Sequence, residues 1–133
     1  MAKTFRQMVD EARAATRAIS PQAAHDLLRD DDRALVVEVR DLADIATTGL
    51  IPGAATISLG TLPKQACLER PPEKRDRRLD DRTRAIITTC EAGPMGILAA
   101  KTLDEMGFTR VAYLAGGTQA WVDAGFPTEP LVS

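Results

Sequence analysis

The sequence predicts an α/β fold of three layers, a central parallel sheet with helices on both faces. Three observations carry that prediction. Apolar, β-branched runs recur at residues 34–39, 85–89 and 111–114, and the first is nearly continuous in apolar residues, as strands buried on both faces are. Segments with helical spacing stand between them. The clearest is residues 97–106, where Ile97, Leu98, Ala100, Leu103 and Met106 fall roughly on one helical face. Strand and helix therefore alternate along the chain, the pattern of a parallel sheet covered on both sides. At 133 residues the chain is long enough for one domain with a core that needs no disulfides.

The elements follow in order. Residues 4–18 read as an amphipathic helix, with Phe5, Met8, Val9, Ala12 and Ala15 on one face and Arg6, Asp10, Arg13 and Arg17 off it. That face packs on the chain's own domain, or alternatively on a second copy of the chain. Ser20-Pro21 is a helix start, serine as N-cap and proline in the first turn, and residues 22–29 continue it with Ala23, Ala24, Leu27 and Leu28 inward. Asp30-Asp31-Asp32 is a charged turn before the strand at 34–39. Arg40-Asp41 lies at that strand's C-terminal end, a short helix is expected at 42–48, a turn at 49–54 and a short strand at 55–59. Residues 60–84 are the least regular stretch, because Pro63, Pro71 and Pro72 interrupt it and residues 69–84 mix both charge signs. The expectation is a solvated loop with a short helix near 62–68. A docking surface for an acidic or phosphate-bearing partner is the alternative, since arginine slightly outweighs acid there. Gly107 stops the central helix, Gly116-Gly117 makes a tight turn after the strand at 111–114, and residues 118–124 form a short helix carrying Trp121.

Composition narrows the function classes. Net charge is −2, which gives no general nucleic-acid surface. No stretch approaches the ~18 apolar residues of a membrane span, and the N-terminus has no apolar signal core and carries Asp10 and Glu11 early. A cytoplasmic location follows as the default. The two cysteines, Cys67 and Cys90, have no C-x-x-C spacing and only one histidine accompanies them, so neither a zinc site nor a disulfide scaffold is expected, and no metal or organic cofactor is called for. His25, on the second helix, has no sequence-adjacent partner and reads as structural.

The chemistry concentrates at Cys90. It follows a buried strand and precedes a helix, with Gly93, Pro94 and Gly96 in the loop between. Loops at the C-terminal ends of parallel strands are where open α/β sheets bind ligands. Unpaired N–H groups and the positive end of the helix dipole favour anions there, and a cysteine so placed is stabilised as the nucleophilic thiolate. The competing reading is a small buried hydrophobe, but a Gly-Pro-x-Gly loop packs a core cysteine poorly.

Four stretches in order resemble the rhodanese-like domain family. Val37-Glu38-Val39-Arg40 stands where that family has a strand ending in Asp-Val-Arg. Gly49-Leu50-Ile51-Pro52-Gly53-Ala54 resembles its Gly-His-Ile-Pro-Gly-Ala, and Cys90-Glu91-Ala92-Gly93 opens its Cys-x-x-Gly active-site loop. Leu114-Ala115-Gly116-Gly117, Ala120-Trp121 and Ala124-Gly125-Phe126-Pro127 match its closing motifs. The resemblance spans about residues 18–128, leaving an amphipathic extension at 1–17 and a tail at 129–133. It implies a sulfurtransferase, in which Cys90 takes sulfane sulfur from a donor such as thiosulfate, a persulfide or a polysulfide. Cys90 would hold that sulfur as a persulfide and pass it to cyanide, a small thiol or a protein acceptor. The active-site loop would comprise Glu91, Ala92, Gly93, Pro94, Met95 and Gly96, its backbone N–H groups cradling the sulfur, with Pro94 contributing shape but no donor.

Departures from the family pattern qualify the substrate. Met95 stands where many single-domain members carry arginine, and Glu91 sets a negative charge beside the nucleophile, both unfavourable for a dianion such as thiosulfate. Leu50 and Glu38 replace histidine and aspartate conservatively. Arg40 is assigned mainly a structural ion pair, with a contribution to the pocket's field as its second reading. Cys67 reads as a bystander, or as a resolving thiol for Cys90. A catalytically weak binding or redox-regulatory module is the alternative function. A cysteine phosphatase or arsenate reductase is the third, and it lacks the loop arginine that would hold phosphate. A homodimer through the N-terminal helix is the oligomer this reading allows.

Overall fold

The computed structural model describes residues 1–131; of the tail expected at 129–133, residues 132 and 133 lie outside the described residues. Five parallel strands form one sheet in the order β1-β5-β4-β2-β3. They are β1 (Ala18–Ile19), β2 (Leu35–Glu38), β3 (Ala55–Thr56), β4 (Ile86–Thr89) and β5 (Val111–Leu114). The helices are α1 (Phe5–Ala15), α2 (Pro21–Asp30), α3 (Leu42–Ile45), α4 (Leu62–Gln65), α5 (Pro94–Glu105) and α6 (Gly117–Asp123).

Alternation along the strands creates the layers. Leu35 and Val37 of β2 and Ile86 of β4 face one side, where Val9 and Ala12 of α1, Leu62 of α4 and Leu103 of α5 complete a core. Val36, Ile87 and Leu114 face the other, against Ala24 of α2 and Trp121 of α6. The three-layer α/β expectation is met. β4 lies mid-sheet and is buried along its whole length. Its register with β2 runs from Leu35↔Ile86 to Glu38↔Thr89, which brings both C-terminal ends to the same edge.

Local signals fix several boundaries. Ser20 caps α2, its Oγ accepting from the Ala23 N–H at 3.1 Å, with Pro21 in the first turn. Thr4 caps α1, and Gln7 returns the contact in a capping box. β1 has no sequence signature. It is two residues long and exists because Ala18 and Ile19 pair with Tyr113 and Leu114. α1 packs on α5 through Val9 and Ala12, while Phe5 and Met8, placed on the same face by periodicity, stay 58% and 48% exposed.

Residues 69–84 differ from the expected solvated loop. Two single-turn helices, Pro72–Lys74 and Arg77–Leu79, order the segment, and Leu79 is fully buried. Arg75 and Arg82 turn inward, while Arg77 and Arg78 stay exposed. Arg75 pairs with Asp80 at 2.9 Å, and Arg78 with Asp76 at 2.6 Å. Arg82 donates to the carbonyls of Leu79, Met106 and Ala66 and lies 4.5 Å over the Phe108 ring. Charge density suggested solvation, but guanidinium groups can serve as internal staples for carbonyls that regular structure leaves unpaired. At the C-terminus, Glu129 forms an antiparallel bridge with Leu50. Among the described residues, no helix is long and apolar enough to cross a membrane.

Candidate active site at the end of the central strand

Cys90 follows β4 directly, at the C-terminal edge of the sheet, and is 4% exposed. The chain turns through Glu91 and Ala92 to Gly93, which caps α5, and Pro94 opens that helix. The Gly93 N–H donates to Cys90 Sγ at 3.1 Å. The N–H groups of Glu91, Ala92, Met95 and Gly96 have no hydrogen-bond partner among the described residues. Sulfur therefore sits against a backbone donor and the positive end of a 12-residue helix, a setting that favours negative charge developing on it. Of the loop residues expected from sequence, Gly93 contacts the sulfur, and Glu91, Ala92, Pro94 and Met95 line the same cavity as Cys90, whereas Gly96 does not line it.

The loop is held from behind by α6. Cys90 O accepts from the Thr118 N–H at 2.8 Å and Glu91 O from the Gln119 N–H at 3.0 Å. Gly117 makes this approach possible. A Cβ there would lie 2.5 Å from Glu91 O and 2.7 Å from Cys90 O, and its φ of +70° is left-handed.

Beneath the loop runs a buried polar chain. Thr89 Oγ1 donates to Cys90 O at 3.1 Å and stands 3.0 Å from Thr118 Oγ1, which donates to Glu38 Oε1 at 3.2 Å. Glu38 is in turn bound bidentately by Arg40, through Nη2 at 2.7 Å and Nε at 3.1 Å. Arg40 also donates to Asp44 O, Thr48 Oγ1 and Gly49 O. Glu38 and Arg40 are 1% and 4% exposed, so each buried charge is matched by the other and by further hydrogen bonds.

Cys90 opens into a cavity of about 300 Å³. Ala92, Pro94 and Met95 form its loop side, and Asp44 and Thr47 face them from α3 and the turn after it. Phe5, from the start of α1, completes the wall. Sequence reasoning missed Phe5, Asp44 and Thr47. Nothing local marks them, since each reaches the site only through the packing of its element. A larger cavity of about 600 Å³ lies on the other side of α3, beside Ser58, Thr61 and Arg77; Arg40 lines both, but Cys90 lines only the smaller.

The remaining candidates lie elsewhere. His25 stacks on Phe126 at 4.4 Å and tilts toward Trp121, in the α2–α6 layer opposite the core that contains Cys90. Cys67 is a half-buried free thiol after α4 and does not line the Cys90 cavity. Among the described residues no cluster of three or more His, Cys, Asp or Glu could hold a metal ion.

Comparisons with known proteins bear on the family and the fold. The model of the rhodanese-like domain family matches residues 20–124. A curated sulfurtransferase of Allochromatium vinosum is 28% identical over 109 residues, covering 82% of this chain and 91% of that protein. A Rhodopseudomonas palustris protein of unknown function, described as a possible tyrosine phosphatase, superposes with a TM-score of 0.87 at 28% identity, covering 97% of this chain and 96% of that one. The polysulfide-sulfur transferase homodimer of Wolinella succinogenes gives a TM-score of 0.72 at 25% identity, over 96% of this chain and 88% of that one.

Proposed function

The chain belongs to the rhodanese-like domain family, and from that premise we propose that it is a sulfurtransferase carrying sulfane sulfur as a persulfide on Cys90. The observation that carries the proposal is the Gly93 N–H at 3.1 Å from Cys90 Sγ, beside the start of α5 and at the floor of an open cavity. In the loading step the Cys90 thiolate attacks the outer sulfur of a donor. The donor's S–S bond breaks, a Cys90 S–S bond forms, and the donor leaves with the electron pair as sulfite or a shortened polysulfide. In the second step an acceptor thiolate or cyanide attacks the outer sulfur of the persulfide, and Cys90 departs as thiolate. The Gly93 N–H is placed to stabilise charge on Sγ in both steps. A reducing cytoplasm suits this cycle, because it keeps Cys90 free between turnovers.

A persulfide of lower charge is the donor this site favours over a dianion such as thiosulfate. The loop from Cys90 to Gly96 holds no cation, and the Arg40 guanidinium is committed to Glu38 and to the carbonyls around it. The same facts weigh against phosphatase chemistry, which needs a guanidinium free to grip phosphate.

Intact-mass spectrometry tests the proposal, with wild type and Cys90→Ser incubated separately with thiosulfate and with polysulfide. The expected result is a gain of one sulfur on wild type alone, removed by cyanide or a thiol. No gain with either donor would reject the reading in favour of a binding or redox-regulatory module.

A further inference from the structure

The wall of the Cys90 cavity contains a residue from outside the segment that matches the family. Phe5 opens α1, whereas the family match begins at residue 20. Val9 and Ala12, one and two turns further on, are buried against the domain and fix the helix in place. Phe5 is thereby held in the cavity wall, with the residue 58% exposed. An aromatic side chain partly exposed in the wall of the cavity that Cys90 lines offers apolar surface that a ligand entering the cavity would cover. Pro94 and Met95 extend that surface on the loop side.

The charges in the same wall are one-sided. Arg40 is balanced by Glu38 at 2.7 Å. Asp44 and Glu91 both line the cavity, and among the described residues neither carboxylate has an ion-pair partner. The cavity wall therefore carries uncompensated negative charge, which lowers the local concentration of anions and disfavours their approach.

We propose that Phe5 is the specificity-determining wall of the Cys90 site, and that the site delivers sulfur to thiols with an apolar body and no negative charge. The inference rests on the sulfur-transfer reading above and names the acceptor class for it. The acceptor thiolate attacks the outer sulfur of the Cys90 persulfide. The new S–S bond forms on the acceptor as the Cys90 S–S bond breaks, Cys90 keeps the electron pair as thiolate, and no external oxidant or reductant takes part. Phe5 touches only the acceptor's body and acts through binding.

The test uses the full-length protein loaded with polysulfide and desalted, with one added sulfur verified by intact mass. Loss of that sulfur is then timed with 2-phenylethanethiol, cysteamine and 3-mercaptopropionate, in wild type, Phe5→Ala, Phe5→Leu and the double variant Asp44→Asn/Glu91→Gln. Taking each variant's rate constant relative to wild type for the same thiol cancels intrinsic differences in reactivity. Phe5→Ala is expected to slow 2-phenylethanethiol about tenfold more than cysteamine, the loss expected when most of one aromatic contact is removed, with Phe5→Leu between. The double variant is expected to speed 3-mercaptopropionate about threefold or more relative to cysteamine. Equal effects on all three thiols would overturn the inference while leaving sulfur transfer intact. A wild-type protein that takes up no sulfur fails earlier, at loading, and overturns both.

Discussion

Gly117 shows how narrowly one residue sets the site. Two carbonyls, of Cys90 and Glu91, come within 2.7 Å and 2.5 Å of where its Cβ would stand, so that the N–H groups of Thr118 and Gln119 can reach them. Gly117→Ala is expected to cost about 2 kcal/mol or more, from the positive φ and the steric overlap together, and to lower persulfide formation as the loop shifts. Gly125→Ala is the control, since its φ of +89° is similar but nothing lies within 4 Å of its Cβ position; its thermal midpoint should fall less and its activity persist. Equal losses in the two variants would mean that the close approach is not what matters at Gly117. At this scale sequence reading succeeded where the signal is local. The Ser20-Pro21 cap, the Cys90 loop and the paired glycines each announce themselves by residue type. Phe5, Asp44 and Thr47 do not, because a side chain becomes part of a cavity only after its element has docked.

At the scale of elements, α1 shows the limit of periodicity. The spacing of Phe5, Met8, Val9, Ala12 and Ala15 located the apolar face, but not how much of it the domain covers. Only Val9 and Ala12 are buried. Ala12→Leu should therefore overpack the α1–α5 contact and cost about 1–3 kcal/mol, whereas Ala15→Leu, one turn on and exposed, should stay within about 0.5 kcal/mol of wild type. Denaturant midpoints of the two variants check this, and a costless Ala12→Leu would place α1 off the core. Strands of four residues with β-branched composition were legible, and the one at Val111–Leu114 has the bounds the sequence suggested. β1 was not. Two residues cannot display a period, and its partners in β5 lie near the other end of the chain.

For the molecule as a whole, the segment between α4 and β4 contributes an acid-sensitive part of the fold. Hydrogen bonds from Arg78 and Arg75 hold the carboxyls of Asp76 and Asp80 below the ordinary aspartate value of 3.8. Both groups bind protons more weakly folded than unfolded, so the stability they contribute is complete above that value and is lost as pH falls through the lower folded one. Amide exchange in residues 75–82, corrected for its intrinsic pH dependence, should rise as the pH falls below about 4, before exchange in β4 does. The Asp80→Asn variant should already show raised exchange at neutral pH and respond less to acid. Unchanged protection across that range would place the segment's stability in Leu79 and the Arg82 contacts instead. The sheet order has another consequence, one of timing. β1 comes early in the sequence and β5 is the last strand among the described residues, yet they are neighbours, and the Cys90 carbonyl waits for Thr118. On a ribosome, where residues emerge in numerical order, Cys90 is made before the backbone that holds its loop from behind. The cysteine acquires its finished surroundings only once α6 is available, so a chain interrupted before Thr118 carries the thiol without the backbone that holds its loop.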